Sequence, residues 1–396
     1  MTDSDSGPDH GYEYEFTDRI GSVEPSATLA ISDAASRLEA QGEDVVDLSV
    51  GEPDFPTPEN VVAAGVDAME AGHTGYTSSN GVPELKEAVA AKLRDDDVDA
   101  DAEEVIVTPG AKQALYETVQ TLVDDGDEVV LLDPAWVSYE AMVKLAGGTL
   151  ERVDLTDHGF QLEPALDDLA DAVNDDTALV VVNSPANPTG AVFSDAALEG
   201  VRDVVVDHDV PVISDEIYEE ITYGVEPTSL ASLDGMADRT VTVNGFSKAY
   251  SMTGWRLGYL HATGEFVEQA GKLHSHSVSS AANFVQRAGI EALSNTEEAV
   301  DEMVEAFEAR KDLVADLLAD EGVRAPEPDG AFYMMMRVAD DDATWAEEAI
   351  EEAHVATVPG HAFGAPGYAR ISYAASEERL REGVERLSDG GFFDFD

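Results

Sequence analysis

Lys248 follows the apolar stretch 240–244, and Arg256 stands eight residues further on, with small residues between. A lysine with a lowered pKa can form a Schiff base with an aldehyde. The guanidinium of Arg256 offers a fixed fork to a phosphate. A second apolar stretch ends in Asp215, and Tyr218 follows three residues later. A carboxylate at the carboxyl end of a strand can pair with a pyridinium nitrogen. That keeps the ring protonated, so that it serves as an electron sink for a carbanion. Tyr218 could hydrogen-bond the ring hydroxyl. A third stretch, 178–182, runs into Asn183, Ser184, Pro185, Ala186, Asn187, Pro188, Thr189 and Gly190. Its two X–Pro bonds and glycine make a stiff loop able to aim the Asn187 amide into a site. Lysine, arginine and aspartate together suit pyridoxal 5′-phosphate. Taken singly they also suit plainer roles: a surface lysine, a salt-bridged arginine, a helix N-cap at Asp215 and a bare turn at Asn187.

Other chemistries lack a signature. The chain has no G-x-x-x-x-G-K-[ST], no G-x-G-x-x-G and no H-E-x-x-H. The nine histidines show no metal-ligand spacing, so no metal site is expected. His274 and His276 fall on one side of a possible strand and read as polar surface. Gly245, Phe246, Ser247, Lys248 and Ala249 partly match the G-x-S-x-G nucleophile elbow of hydrolases, without its last glycine.

The surrounding sequence alternates between strand and helix patterns. Short apolar, β-branched runs at 105–108, 128–132, 178–182, 210–214, 240–244 and 257–260 read as strands buried on both faces. Helical patterns at 112–122, 138–145 and 196–207 lie between them. The alternation predicts an α/β fold around a mainly parallel sheet. Ligands bind at the carboxyl ends of such strands. Upstream, helical patterns occupy 33–41, 59–71 and 83–94, with an apolar run at 45–50 and a polar loop at 72–81 that contains Tyr76. Downstream, 297–318 is a long amphipathic helix, 330–338, 353–358 and 369–373 read as strands, and 377–387 closes as a helix. The expected organisation is an acidic tail at 1–18, a segment at 19–55 contributing to a small α+β domain, a large domain at 56–296, and the rest of the small domain at 297–396.

Of the 396 residues, 83 are Asp or Glu and 22 are Lys or Arg, giving a formal net charge of −61. A nucleic-acid binder needs a basic footprint that this chain lacks, and an anionic membrane would repel it. With 43% apolar residues a core can form, and disorder is not the reading. The absence of cysteine removes disulfides, thiolate metal sites and cysteine nucleophiles. No run approaches the ~18 apolar residues of a spanning helix, and the acidic stretch 1–16 does not read as a secretory signal. A soluble, cytoplasmic protein is expected. The carboxylates are dispersed along the chain. That suits solvation in high salt, which screens the self-repulsion; a strongly basic partner is the alternative.

Three motifs occur in order: N-P-T-G at 187–190, D-E-I-Y at 215–218 and S-K-x-x-x-x-x-G-x-R-x-G-Y at 247–259. G-E-P-D-F at 51–55, G-V-P-E-L at 81–85, T-P-G-A-K-Q-A-L at 108–115, P-A-W-V-S-Y at 134–139 and R-I-S-Y at 370–373 extend the pattern over most of the chain. On these motifs the chain resembles the fold-type I, class I pyridoxal-phosphate aminotransferases, and most of all the bacterial and archaeal aspartate aminotransferases. The resemblance implies a mainly parallel seven-stranded sheet between helices in the large domain.

It also implies roles. Lys248 would carry the cofactor as a Schiff base and, once displaced by substrate, move the proton between Cα and the cofactor. Asp215 would bind the pyridine nitrogen, Tyr218 and Asn187 the ring oxygen. Trp136 would stack on the ring and border the substrate, its alternative being a core tryptophan. Gly110, Ala111 and Lys112 would open a helix whose amides receive the phosphate, joined by Ser247 and Arg256. Tyr76 would reach the phosphate of a neighbouring subunit, which implies a homodimer with shared sites. Arg370 would hold the substrate α-carboxylate bidentately, with Gly51 and Asn187 adding contacts. The Lys112 side chain would face the distal carboxylate of a dicarboxylic substrate. One position departs from the pattern: many relatives carry a hydroxyl three residues before the lysine, and here Gly245 stands there. That phosphate contact is lost or passes to Ser247.

The implied activity is ping-pong exchange of an amino group between an amino acid and a 2-oxo acid. Aspartate with 2-oxoglutarate is the favoured pair, and aromatic amino acids or prephenate are the alternatives. A lyase on the same fold is a rival. So is a transcription regulator, but the short acidic stretch before the match supplies no DNA-binding module.

Overall fold

The computed structural model describes residues 14–394. Residues 1–13 of the expected acidic tail lie outside the described residues. Its strands are β1 (Val46–Asp47), β2 (Val105–Thr108), β3 (Glu128–Asp133), β4 (Thr149–Asp154), β5 (Thr177–Asn183), β6 (Val212–Asp215), β7 (Thr240–Gly245), β8 (Gly258–His261), β9 (Tyr333–Arg337), β10 (Val355–Ala356), β11 (Val358–Pro359) and β12 (Tyr368–Ser372).

Seven strands form one sheet in the order β2-β8-β7-β6-β5-β3-β4. Its central members are buried along their length because helices cover both faces, β6 and β7 throughout. In this sheet β8 alone runs against its neighbours. That reversal positions the site. Gly258, at the start of β8, is in register with Thr108 at the end of β2 and with Gly245 at the end of β7. Arg256 therefore sits at the edge where the parallel strands end. Gly258 is required there, since a Cβ would lie 2.4 Å from the Ala111 nitrogen at the start of helix Ala111–Leu122.

A second sheet, antiparallel in the order β11-β12-β9, packs with helices Glu297–Asp320 and Glu377–Asp389. The long helix buries Val300, Met303, Phe307, Val314 and Leu318, an amphipathic stripe. β1 pairs with β10, Val46 opposite Val355, and Val46 and Leu48 share a core with Phe307, Phe332 and Leu380. Tyr218 and Ile221, from the turn after β6, reach into the same core.

Several elements differ from their sequence reading. The first long helix is Ala27–Gln41, beginning six residues before the expected 33. The strand expected at 353–358 divides between two sheets as β10 and β11. The strand expected from 330 starts at Tyr333, because Ala331 takes a positive φ of 56°. The edge strand β4 buries only Val153, so no apolar run announces it. Helices Leu166–Ala172, Gly264–Ser277 and Asn283–Asn295 were not foreseen. His274 and His276 belong to the second of these, not to a strand. Two residues apart on a helix, they face different ways: His276 is exposed, while His274 is wholly buried and is not polar surface. Among the described residues no helix is long and apolar enough to cross a membrane.

Candidate active site

A cleft of about 560 Å³ opens at the carboxyl edge of the large sheet. Gly51, Ala111, Lys112, Trp136, Asn187, Asp215, Tyr218, Ser247, Lys248, Arg256 and Arg370 all line it. Gly110 stands behind them with φ +88°. A Cβ there would lie 2.6 Å from Arg256 Nη2, so the glycine lets the guanidinium rest against the first turn of helix Ala111–Leu122. Tyr76 is not part of the lining; its side chain is 91% exposed.

Asp215 ends β6 and is buried. The Tyr139 hydroxyl donates to its Oδ2 at 2.6 Å, and the Ile217 amide to its Oδ1 at 3.3 Å. Burial outweighs these donors and pushes the carboxyl up to about 6. A cation at this place would restore the charged form. Asn183 holds the Asp215 carbonyl from the neighbouring strand, 2.8 Å away.

Lys248 extends from the loop after β7, with its Nζ 5.5 Å from the centre of the Tyr218 ring and 5.7 Å from that of Phe332. Its ammonium donates to the Gly51 carbonyl. Burial lowers it to about 8, with the positive charge of Arg370 acting the same way. An amine so placed supplies far more free base near neutral pH than an ordinary lysine does, as carbonyl chemistry requires.

Arg370 lies in β12, buried. Nη1 donates to Asn187 Oδ1 at 2.9 Å, Nη2 donates to the Ser49 carbonyl at 2.7 Å, and Nε has no partner. Its guanidinium carbon is 4.4 Å from the centre of the Tyr333 ring, and Tyr333 shares a 3.0 Å hydroxyl contact with Tyr218. Arg256 donates only to the carbonyls of Thr253 and Pro109. Lys112 points over the Trp136 ring at 4.7 Å, and burial together with Arg256 lowers its pKa. These four cations thus contact neutral groups, in a chain with 83 carboxylates. They leave two regions of the cleft ready for anions: one at Arg256 and the helix N-terminus, the other at Arg370.

At position 245 a Cβ would stand 3.1 Å from the Leu257 carbonyl and 3.2 Å from the Gly258 Cα. The glycine lets β7 and β8 close together, and Ser247 is the hydroxyl in this segment that lines the cleft beside Lys248.

Sequence reasoning gave no role to Tyr139, Asn183, Ser49 or Tyr333. Tyr139 carried a usable signal. It lies one helical turn after Trp136, and residues three apart share a helix face; the two rings meet edge to face at 5.4 Å. Tyr333 carried none, since its strand reads as ordinary core. Thr28, Leu29 and Ser32, from helix Ala27–Gln41, also line the cleft.

The family model for aminotransferase class I and II matches residues 43–387. The chain belongs to this family. It is 42% identical to the aspartate aminotransferase of Geobacillus stearothermophilus over 93% of this chain and 97% of that one. The aspartate/prephenate aminotransferase of Thermus thermophilus is likewise 42% identical, over 93% and 97%. Among solved structures, the Thermus thermophilus aspartate aminotransferase with maleate superposes with a TM-score of 0.92, covering 95% of this chain and all of that one. Its mostly parallel seven-stranded sheet flanked by helices is the fold-type I arrangement. The aminotransferase is accordingly a pyridoxal-phosphate-dependent transaminase. The donor set fits that cofactor: a buried acid for a ring cation, a lysine of lowered pKa for its aldehyde, and a glycine-made cradle with Arg256 for its phosphate.

Proposed function

We propose that the protein exchanges an amino group between L-aspartate and 2-oxoglutarate by a ping-pong mechanism. The observation that carries this reading is Lys112: its ammonium enters the same cleft as Lys248 and Arg370 and contacts a tryptophan face rather than a carboxylate. A second cation away from the α-carboxylate fork suits a dicarboxylic substrate. The names of the relatives from Geobacillus stearothermophilus and Thermus thermophilus support it. The second of those names also supports prephenate as an alternative acceptor, and the Trp136 wall gives an aromatic ring a surface to meet.

Bound pyridoxal phosphate supplies a protonated ring that takes up the electron pair left when Cα loses its proton. Asp215 would hold the charge of that ring's nitrogen, and Tyr218 and Asn187 would serve the ring oxygen. Trp136 would cover the ring face. Gly110, Ala111, Lys112, Ser247 and Arg256 would receive the phosphate, the first three through helix amides. Arg370, oriented by Asn187 and the Ser49 carbonyl, clamps the α-carboxylate, and the Gly51 amide joins it. Lys248, its pKa already low, takes the Cα proton and returns it on the other side of the exchange.

The exposed face of helix Glu59–Glu70 supports a homodimer. Val62, Val66 and Met69 lie along one stripe, beside a groove lined by Phe55, Trp255 and Phe284. A second copy seated there would bring Tyr76 toward a neighbour's phosphate. The pairing of β1 with β10 supports a small domain made of 19–55 with 297–396, leaving 56–296 as the large one. The dispersed net charge of −61 supports a halophilic, cytoplasmic setting. A panel of aspartate, glutamate, tyrosine and prephenate with suitable partners, assayed in high salt, tests the substrate assignment. A preference for tyrosine or prephenate over both dicarboxylates would overturn it.

A further inference from the structure

His274 and Glu117 form a pair with no solvent exposure between two helices. His274 comes from Gly264–Ser277, and Glu117 from Ala111–Leu122, the helix whose first turn faces the phosphate region. The His274 Nδ1 lies 3.0 Å from Glu117 Oε2, and its Nε2 lies 3.1 Å from the Ser79 carbonyl. A carbonyl can only accept, so Nε2 donates to Ser79 and Nδ1 is left to bond the Glu117 carboxyl. Gln113 and Ser277 complete the shell by donating to Glu117 Oε1 at 2.8 and 3.1 Å.

Ser79 belongs to the loop 72–81, which has no regular secondary structure over its tip and carries the exposed Tyr76. The other side-chain ties from outside this loop come from Asn283 to the Gly75 carbonyl at 3.3 Å and from Gln286 to Thr77 Oγ1 at 3.1 Å, and the Val107 amide donates to the Asn80 carbonyl at 3.1 Å. Of these three side chains, the histidine is the one that connects the loop directly to the phosphate-facing helix.

We propose that His274 is a positioning residue. Anchored by Glu117, it clamps the Ser79 carbonyl and so holds Tyr76 where the phosphate of a neighbouring subunit can meet its hydroxyl. This rests on the reading of Tyr76 and the homodimer given above. Burying these polar groups costs desolvation, which their hydrogen bonds offset only while both partners remain. The pair also ties together two sites of the dimer: the helix serves one subunit's phosphate, and the loop serves the other's.

The test follows release of pyridoxal phosphate from the holoenzyme in high salt, as loss of the bound-cofactor absorbance on dilution into inorganic phosphate. Tyr76→Phe should speed release about tenfold, the size of a hydrogen bond to a charged group. His274→Leu should speed it about fivefold in the otherwise unaltered chain, and less than twofold when Tyr76→Phe is already present. Glu117→Gln should change it less than twofold. An amide at 117 can donate to Nδ1, which lets a neutral ring keep its Nε2–H on Ser79. If His274→Leu yields no folded dimer by circular dichroism and gel filtration, His274→Gln takes its place in the same comparison. Equal acceleration by the His274 substitution in both backgrounds, or none in the first, would overturn the positioning role. No effect of Tyr76→Phe alone would instead overturn the reading of Tyr76, a distinct signature.

Discussion

Tyr139 donates a 2.6 Å hydrogen bond to Asp215 Oδ2, both side chains being buried. The tyrosine stabilises the charged carboxylate against the cost of burial. Tyr139→Phe removes that donor and leaves the desolvation in place, so the Asp215 carboxyl must move above about 6. A hydrogen bond to a charged group contributes about 1.5–3 kcal/mol. We expect kcat to fall about tenfold, with the acid limb of its pH profile displaced toward higher pH. An unmoved limb would show that Tyr139 does not tune Asp215.

Asp215 itself links cofactor binding to stability. Its folded pKa of about 6 lies above the reference of 3.8. Between those values the folded, cofactor-free chain binds more protons than the unfolded chain. Its stability therefore falls as pH rises through that window and stays lower above it. Asp215→Asn removes this cost. The cofactor-free variant should melt at a higher temperature than the cofactor-free parent at neutral pH, while the extra stability gained on adding pyridoxal phosphate should shrink. Differential scanning calorimetry of the four forms decides it.

Lys112 separates the dicarboxylate reading from its aromatic alternative. Lys112→Met keeps the length and the Trp136 contact but deletes the charge. kcat/KM for aspartate should fall about 10- to 100-fold, the range of one charge-assisted contact. Tyrosine should be affected less than threefold. Equal losses for both would mean that Lys112 serves the cofactor rather than the distal carboxylate.

The surface charge predicts a steep salt dependence. At ~0.1 M ionic strength the Debye length is about 10 Å, and the carboxylates of a −61 chain repel across the surface. Activity and dimer content should drop together on dialysis to low salt, read by assay and by sedimentation. Full activity at low salt would contradict the halophilic reading and leave the transaminase assignment intact.

Much of the fold was legible in the sequence because buried parallel strands announce themselves as apolar runs. β2, β3, β5, β6 and β7 begin within two residues of their expected starts. The edge strand β4 was hidden because edge burial is one-sided and slight. The cleft residues were legible where a motif carried them: Lys248, Asp215, Asn187 and Arg256 converge as their spacing implied. What periodicity could not give was the second layer of support. Tyr139 reaches Asp215, and the Ser49 carbonyl reaches Arg370, across 76 and 321 residues of sequence. His274 misled for a related reason. Its partner Glu117 is 157 residues away, and an isolated polar residue gives no local sign that it is paired and buried.

Mixing the holoenzyme with L-aspartate alone, in high salt and without an oxo acid, tests the central claim most directly. The prediction is one burst of about one oxaloacetate per site, accompanied by loss of the bound-aldehyde absorbance and by no ammonia, with the original absorbance restored on adding 2-oxoglutarate. Continuous release of ammonia, or no spectral change at all, would contradict transamination of aspartate.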